Sequence, residues 1–318
     1  MARTAVGFDL PLPDFTDCRF GQREPDSDWL AVSHDGGPAR GFDRKMPAFG
    51  GALTAEEIGL ALEHVRSLCT DSRWPRGELN LPRALVTEKA FPEDEAVLTT
   101  GVTASGGGAV TNELLYERRF GPVNQIEIAV PIDRVKGPAG SWNGGIGDIA
   151  VGVKRALYHD SGRGSIFSAG GEVIFPTGDE TAGLGKGVTV LEPFVAFGQI
   201  LAADGFVQLQ AGLELPTDTD RAGREAFWRA AIGRSFTEGR FGRTWSPMVE
   251  LLAARELASG ESAHWDLVPQ VQVTLNTRQH IMANVGLRVP VNRRRGRDTT
   301  LIAYLLWDWF DGGLFDGW

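Results

Sequence analysis

The residues of this chain best suited to chemistry are a methionine and its neighbours. The run Arg44-Lys45-Met46-Pro47-Ala48-Phe49-Gly50-Gly51 carries one of only 4 methionines. A helix start follows at once: Thr54 is a good N-cap, and Glu57, three residues on, completes a capping box. A thioether beside proline either fills a gap in an apolar core or is offered to a metal. The elements that must hold it are short helices. One over 55–69 places Ile58, Leu62, Val65 and Leu68 on a single face. Another over 29–34 ends at Gly36-Gly37-Pro38.

Catalytic constellations are scarce, and the chain does not read as an enzyme. Gly-x-Ser-x-Gly does not occur. Gly145-Ile146-Gly147 and Gly183-Leu184-Gly185 precede strand patterns rather than helices, which argues against phosphate binding. Cys18 and Cys69 either form a disulfide or remain free thiols. A formal charge of −9 argues against a nucleic-acid partner. No apolar run is long enough for a membrane helix, since Leu301 to Phe310 is broken by Asp308. The opening Met1-Ala2-Arg3-Thr4-Ala5-Val6-Gly7-Phe8-Asp9 lacks the apolar region of a signal peptide.

Beyond residue 95 the apolar period changes from 3.6 to 2. Ile126, Ile128 and Val130 alternate with Gln125, Glu127 and Ala129; Val207, Leu209 and Ala211 alternate with Gln208, Gln210 and Gly212. Val271 and Val273 alternate with Gln270 and Gln272, and Val285 and Leu287 with Asn284 and Arg288. The pattern fits a soluble sheet with one wet face or a membrane barrel with lipid outside and water inside. A repeat favours the barrel. Val130-Pro131, Phe175-Pro176, Leu215-Pro216 and Val289-Pro290 each finish a strand pattern, separated by about two strand lengths, or about four for the last pair. Polar loops over 133–143, 179–186, 218–225 and 292–298 follow these ends. Tight turns, Ala203-Asp204-Gly205 and Asn276-Thr277-Arg278-Gln279, lie at the others.

About twelve strands are expected, near 95–104, 110–120, 124–131, 147–158, 164–175, 187–201, 205–215, 226–236, 244–255, 264–276, 280–290 and 299–309. An even count returns both ends of the barrel to the periplasm. The final stretch is aromatic, with Tyr304, Trp307, Trp309, Phe310, Phe315 and Trp318. The fold class is therefore mainly β, an antiparallel outer-membrane barrel over 95–318. A Pro- and charge-rich linker over 71–94 precedes it, and a small helical domain over 1–70 precedes that. Glu127, Glu172, Gln208, Gln210, Glu214, Gln270, Gln272 and Arg288 are expected to face the lumen and tune passage of a solute, or merely to fill a polar interior. Arg293-Arg294-Arg295-Gly296-Arg297 reads as a solvated loop or a contact with anionic surface lipid.

Two resemblances add to this. The strand endings Val173-Ile174-Phe175-Pro176-Thr177-Gly178-Asp179 and Leu213-Glu214-Leu215-Pro216-Thr217 resemble the outer-membrane transporter family named for the phenol-degradation meta pathway. Residues 14–70 resemble the distal half of a class I c-type cytochrome. That resemblance implies haem c, with Met46 as axial iron ligand, Pro47 shaping the ligand loop, and Phe49, Leu53, Leu62 and Val65 near the porphyrin. His64 stands where the family often carries Tyr. The family's Cys-x-x-Cys-His is absent, and His34 lies too close to Met46 to replace it. Either an upstream segment holds the motif and a signal peptide, or the domain is a haem-free plug or docking module.

The leading expectation is haem-dependent electron transfer at the outer membrane with a periplasmic redox partner. The alternative is a channel for small, hydrophobic compounds with a haem-free periplasmic head, and a third reading is a structural barrel that anchors a periplasmic partner.

Overall fold

A computed structural model describes residues 13–103, 108–136, 140–292 and 297–309. Its strands are β1 Glu95–Thr103, β2 Ala109–Phe120, β3 Asn124–Lys136, β4 Trp142–Ile146, β5 Ala150–Asp160, β6 Ser165–Ile174 and β7 Val190–Ile200. They continue with β8 Gly205–Pro216, β9 Glu225–Arg234, β10 Phe236–Thr237, β11 Thr244–Glu256, β12 His264–Thr274, β13 Ile281–Pro290 and β14 Thr300–Asp308. Every pairing is antiparallel, and β14 returns to β1 from Glu95–Asp308 to Thr103–Thr300. The result is a closed barrel of 12 strands. The short β4 and β10 only extend it, against β3 and β11.

The barrel is apolar outside and polar inside. Val153 and Ile232 are 56% and 59% exposed, whereas Glu117 and Glu250 are 0% exposed. A soluble sheet would hide the first pair and wet the second, so the alternation is that of a membrane barrel. Exposed aromatics collect at both rims: Trp142, Phe175 and Trp228 at one, Phe120, Tyr158 and Phe236 at the other. These form the interfacial girdles of such barrels. Among the described residues no helix is long and apolar enough to cross a membrane.

Both strand ends nearest the termini lie at the rim of tight turns, and the longer loops over 175–189 and 217–224 lie at the other rim. At the turn rim, Ala203 and Asp204 both take positive φ, 56° and 57°. That matches the twist of the strands they join. The loop expected over 133–143 is instead a hairpin of β3 and β4. Pro131 accordingly lies within β3 rather than at its end. It is tolerated because the neighbouring ladder breaks at residues 147–149, where Gly147 N–H donates to the Pro131 carbonyl (2.9 Å). Asp148 uses that break to accept from Gly178 N–H (3.0 Å) and Lys186 N–H (2.7 Å), which pins the 175–189 loop.

The head comprises α1 Cys18–Gly21, α2 Asp26–Asp35 and α3 Ala55–Ser67. The capping box forms: Thr54 Oγ1 accepts from Glu57 N–H, and Glu57 Oε2 accepts from Thr54 N–H (2.8 Å). Cys18 and Cys69 are joined in a disulfide across 51 residues. A closed loop of that length removes about 4 kcal/mol of unfolded-state entropy in the chain-entropy treatment. Asp26 ties the head to the segment after it, accepting from Arg66 Nε (2.9 Å) and Arg76 Nη2 (2.5 Å). The head caps the turn rim. Arg40 Nη1 donates to the Phe241 carbonyl (2.7 Å), and the Arg278 guanidinium lies 4.5 Å from the Phe42 ring.

Two outcomes follow from this arrangement. Val195→Arg, at mid-strand on the outer face, should cost about 2–4 kcal/mol, while Leu257→Arg, beyond the loop rim, should cost almost nothing. Urea titration in lipid vesicles measures both, and equal costs would contradict a lipid-facing outer wall. The second concerns acid. Burial pushes the Asp26 carboxyl up, but Arg66 and Arg76 outweigh it and hold the pKa below the ordinary 3.8. The pair therefore stabilises the head fully above that ordinary value and is lost as pH falls through the lower folded-state value. Proteolysis of the head across acid pH should show this loosening in the parent and not in Asp26→Asn; identical profiles would refute it.

Candidate functional site

The stretch expected to be a linker, 71–94, is not one: its second half runs inside the barrel. Gly77 marks the entry. Its N–H donates to the Gln22 carbonyl (2.8 Å), and any side chain there would collide with the backbone of Arg23 and Glu24. After a single 3-10 turn, Gly77–Leu79, the strap from Asn80 to Asp94 has no regular structure. Its peptide groups therefore have no ladder to join, yet they are removed from water. Each needs a partner from somewhere else.

The barrel wall supplies those partners through long amide and carboxylate side chains. Gln270 Oε1 accepts from Leu85 N–H (2.9 Å), Glu250 Oε2 from Thr87 N–H (2.6 Å), and Gln210 Oε1 from Glu88 N–H (3.0 Å). Gln125 Oε1 accepts from Glu93 N–H (2.7 Å). In the other sense, Gln208 Nε2 donates to the Pro82 carbonyl (2.8 Å), Tyr304 O–H to that of Arg83 (2.7 Å), and Arg229 Nη1 to that of Val86 (3.2 Å). Apolar contacts fill the spaces between, with Leu81 and Ala84 beside Phe206, Ala231 and Met248.

Ion pairs latch the strap at one side. Arg83 Nη1 donates to Glu95 (2.5 Å) and Glu117 (2.6 Å). Lys89 pairs with Glu93 and Glu95, and Lys154 of β5 reaches back to Glu88 and to the Lys89 carbonyl (2.8 Å). All these groups are buried or nearly so. Burial makes each pair a poor source of net stability, but it makes the loss of one partner expensive.

The strap divides the lumen. On the turn side, between strap and head, lies a cavity of about 720 Å³ that reaches Glu24, Asp28, Phe206, Gln272 and His280. On the loop side lies a second of about 360 Å³, lined by Glu113, Glu127, Glu172, Glu192 and Arg229. Arg83 borders both.

The strap engages four of the residues expected in the lumen, or their direct partners: Gln208, Gln210, Gln270 and, through Gln125, Glu127. Gln272 is buried at the turn-side cavity, Glu172 lines the loop-side one, Glu214 pairs with Lys186, and Arg288 pairs with Asp266 (2.7 Å). Sequence reasoning missed Gln125, Glu250 and Tyr304 as strap holders, and missed Arg83 altogether. The signal was present in the inward positions of alternating strands, but its target was not. Of the basic cluster, 293–296 lies outside the described residues, and so do the aromatics beyond Trp309. Arg297 pairs with Asp266 (2.6 Å).

The expectation of haem c is corrected. The two cysteines are bonded to each other, and no attachment motif exists in the chain. The ligand loop is tied directly to α2: Phe49 N–H donates to the Ser33 carbonyl (3.0 Å) and Gly50 N–H to that of His34 (2.9 Å). The His34 ring fills the space against Gly50. Met46, Pro47 and Phe49 lie on the exposed side of that loop, Leu62 is buried on α3, and Val65 is half-buried. A redox partner loses its basis with the haem.

No family model matches the chain, and no curated protein matches it, so neither family resemblance is carried forward. Solved structures align with it at low identity. The NanC porin aligns with 67% of this chain and 99% of its own at 11% identity and a TM-score of 0.47. The KdgM porin aligns with 68% and 99% at 9% identity and a TM-score of 0.44. An outer membrane channel from Pseudomonas putida F1 aligns with 72% and 100% at 11% identity and a TM-score of 0.49.

Arg83→Ala would strand Glu95 and Glu117 in the wall without their shared guanidinium. Chemical unfolding in detergent should register a loss of about 3–5 kcal/mol. Arg76→Ala, at a half-exposed pair outside the barrel, should lose no more than about 1 kcal/mol. Losses of similar size would mean that the strap is not latched within the wall.

Proposed function

We propose that the protein is a bacterial outer-membrane channel for small polar solutes, divided by an internal strap and capped at its periplasmic mouth by the disulfide-closed head. The observation that carries this reading is the lumen itself. It is polar, it holds cavities on both sides of the strap, and side-chain hydrogen bonds rather than strand pairing keep the strap in place. Such bonds are individually worth about 1 kcal/mol net, so they can be exchanged for water or solute one at a time. Passage requires the strap to shift. A lumen of carboxylates and amides supports polar cargo over hydrophobic compounds. The outward apolar face and the aromatic rims support a lipid partner.

Planar-bilayer recording tests the proposal. The full chain should conduct weakly or in brief openings, and a variant lacking residues 13–93 should conduct steadily. Liposome swelling with small sugars gives a second readout that does not depend on ions. If the strapless barrel folds and passes neither ions nor sugars, the channel reading fails. If both forms conduct alike, the strap has no gating part.

A further inference from the structure

The register of the barrel aligns carboxylates that lie far apart in the sequence. Asp308 faces Glu95, Glu95 faces Glu117, and Glu117 faces Glu127. Glu127 faces Gly152, Gly152 faces Glu172, and Glu172 faces Glu192. Leu191–Leu215 and Phe194–Gly212 set Glu192 opposite Glu214, which faces Glu225, which faces Glu256. Because strands in a barrel are tilted and staggered, one such rung climbs the wall instead of closing on itself. It begins at Asp308, at the turn rim, and ends at Glu256, at the loop rim. Like charges placed opposite one another destabilise a sheet, so an acidic rung interrupted at Gly152 alone works against the fold unless cations meet it.

The protein provides cations for the lower part and, near the loop rim, for Glu214, which pairs with Lys186. His280 lies 3.0 Å from Asp308, and Arg83 serves Glu95 and Glu117. Glu88, Glu117 and Glu127 bring carboxylate oxygens within 4.8 Å of one another, a spacing that would suit a metal, and the Lys154 ammonium already occupies that neighbourhood. Between Lys154 and Lys186 the counter-charge is missing. Among the described residues no cation lies within ion-pair distance of Glu113, Glu127, Glu172 or Glu192, although all four line the loop-side chamber of about 360 Å³. Glu127 is 5% exposed; its Oε2 accepts from Gln125 (2.9 Å), and its Oε1 is buried without a partner. That oxygen points into the gap over Gly152, where any side chain would collide with it and with Glu172 Cγ. Arg229, the cation on the far side, spends its Nη1 on Val86 and Gln210.

We propose that this chamber is a binding site for a compact cation, with Glu127, Glu172 and Glu192 as its ligands, and that the rung above it guides the cation in from the loop rim. The ligand is a hydrated divalent metal ion or a small organic ammonium; both complete the counter-charge that Lys154 supplies one step below. The proposal deepens the channel reading and rests on it for the direction of travel, but binding itself does not require conduction.

Isothermal titration of the full chain in detergent, at neutral pH and constant ionic strength, tests it with calcium chloride in one arm and putrescine in the other. Saturable binding at one site per chain by either probe is expected, and the arm that succeeds identifies the source. Glu172→Gln/Glu192→Gln should weaken that binding at least tenfold, while Glu256→Gln at the exposed rim should leave it within twofold. Glu127→Gln provides a second variant should the double one fail to fold. No binding by either probe, or binding undiminished by loss of the chamber carboxylates, overturns the proposal. A barrel that binds but conducts nothing keeps it and overturns the channel instead.

Discussion

An irregular segment inside a closed barrel faces one constraint: its peptide groups have neither water nor a neighbouring strand. Every wall strand is already paired on both sides, so no edge is free to accept the strap. Only side chains can satisfy it. The inward face of this barrel is consequently rich in residues whose amide or carboxylate stands far enough from the wall to reach a backbone near the axis: Gln125, Gln208, Gln210, Glu250 and Gln270. An unmade bond of this kind costs more than a made one contributes, so the set acts as a positioning device more than as a source of stability.

The rest of the architecture follows from that device. A strap fixed by the wall fixes the residue that leads into β1, since Glu95 is the first residue of that strand and a partner of Arg83. It also ties the head to the turn rim, because the turn that leads into the strap begins where Gly77 pairs with Gln22. The disulfide and the Asp26 pairs then close the head upon itself. Barrel, strap and head form one continuous chain of constraints, and the two cavities are what remains of the lumen.

The strands were legible in the sequence because alternation and turn chemistry are local. Boundaries agree to within a few residues at almost every strand; the hairpin beyond Pro131 is the main departure, since a proline reads as an ending whatever its neighbours do. The strap was not legible. Asn80-Leu81-Pro82-Arg83 and Thr87-Glu88-Lys89 lack periodicity, and an aperiodic polar segment reads the same whether it crosses solvent or a polar lumen. The acidic rung was equally hidden, because it exists only through register between strands up to scores of residues apart. Met46-Pro47 misled for a related reason: a short loop before a capped helix is a common local shape, and its chemistry depends on what faces it, here the backbone of Ser33 and His34.

Amide hydrogen exchange in the intact protein tests the central claim most directly. If the wall side chains hold the strap, the amides of Leu85, Thr87, Glu88 and Glu93 should exchange as slowly as those of the strands that hold them, β12, β11, β8 and β3. Exchange of those amides at the rate of a free chain, while the strands stay protected, would contradict it.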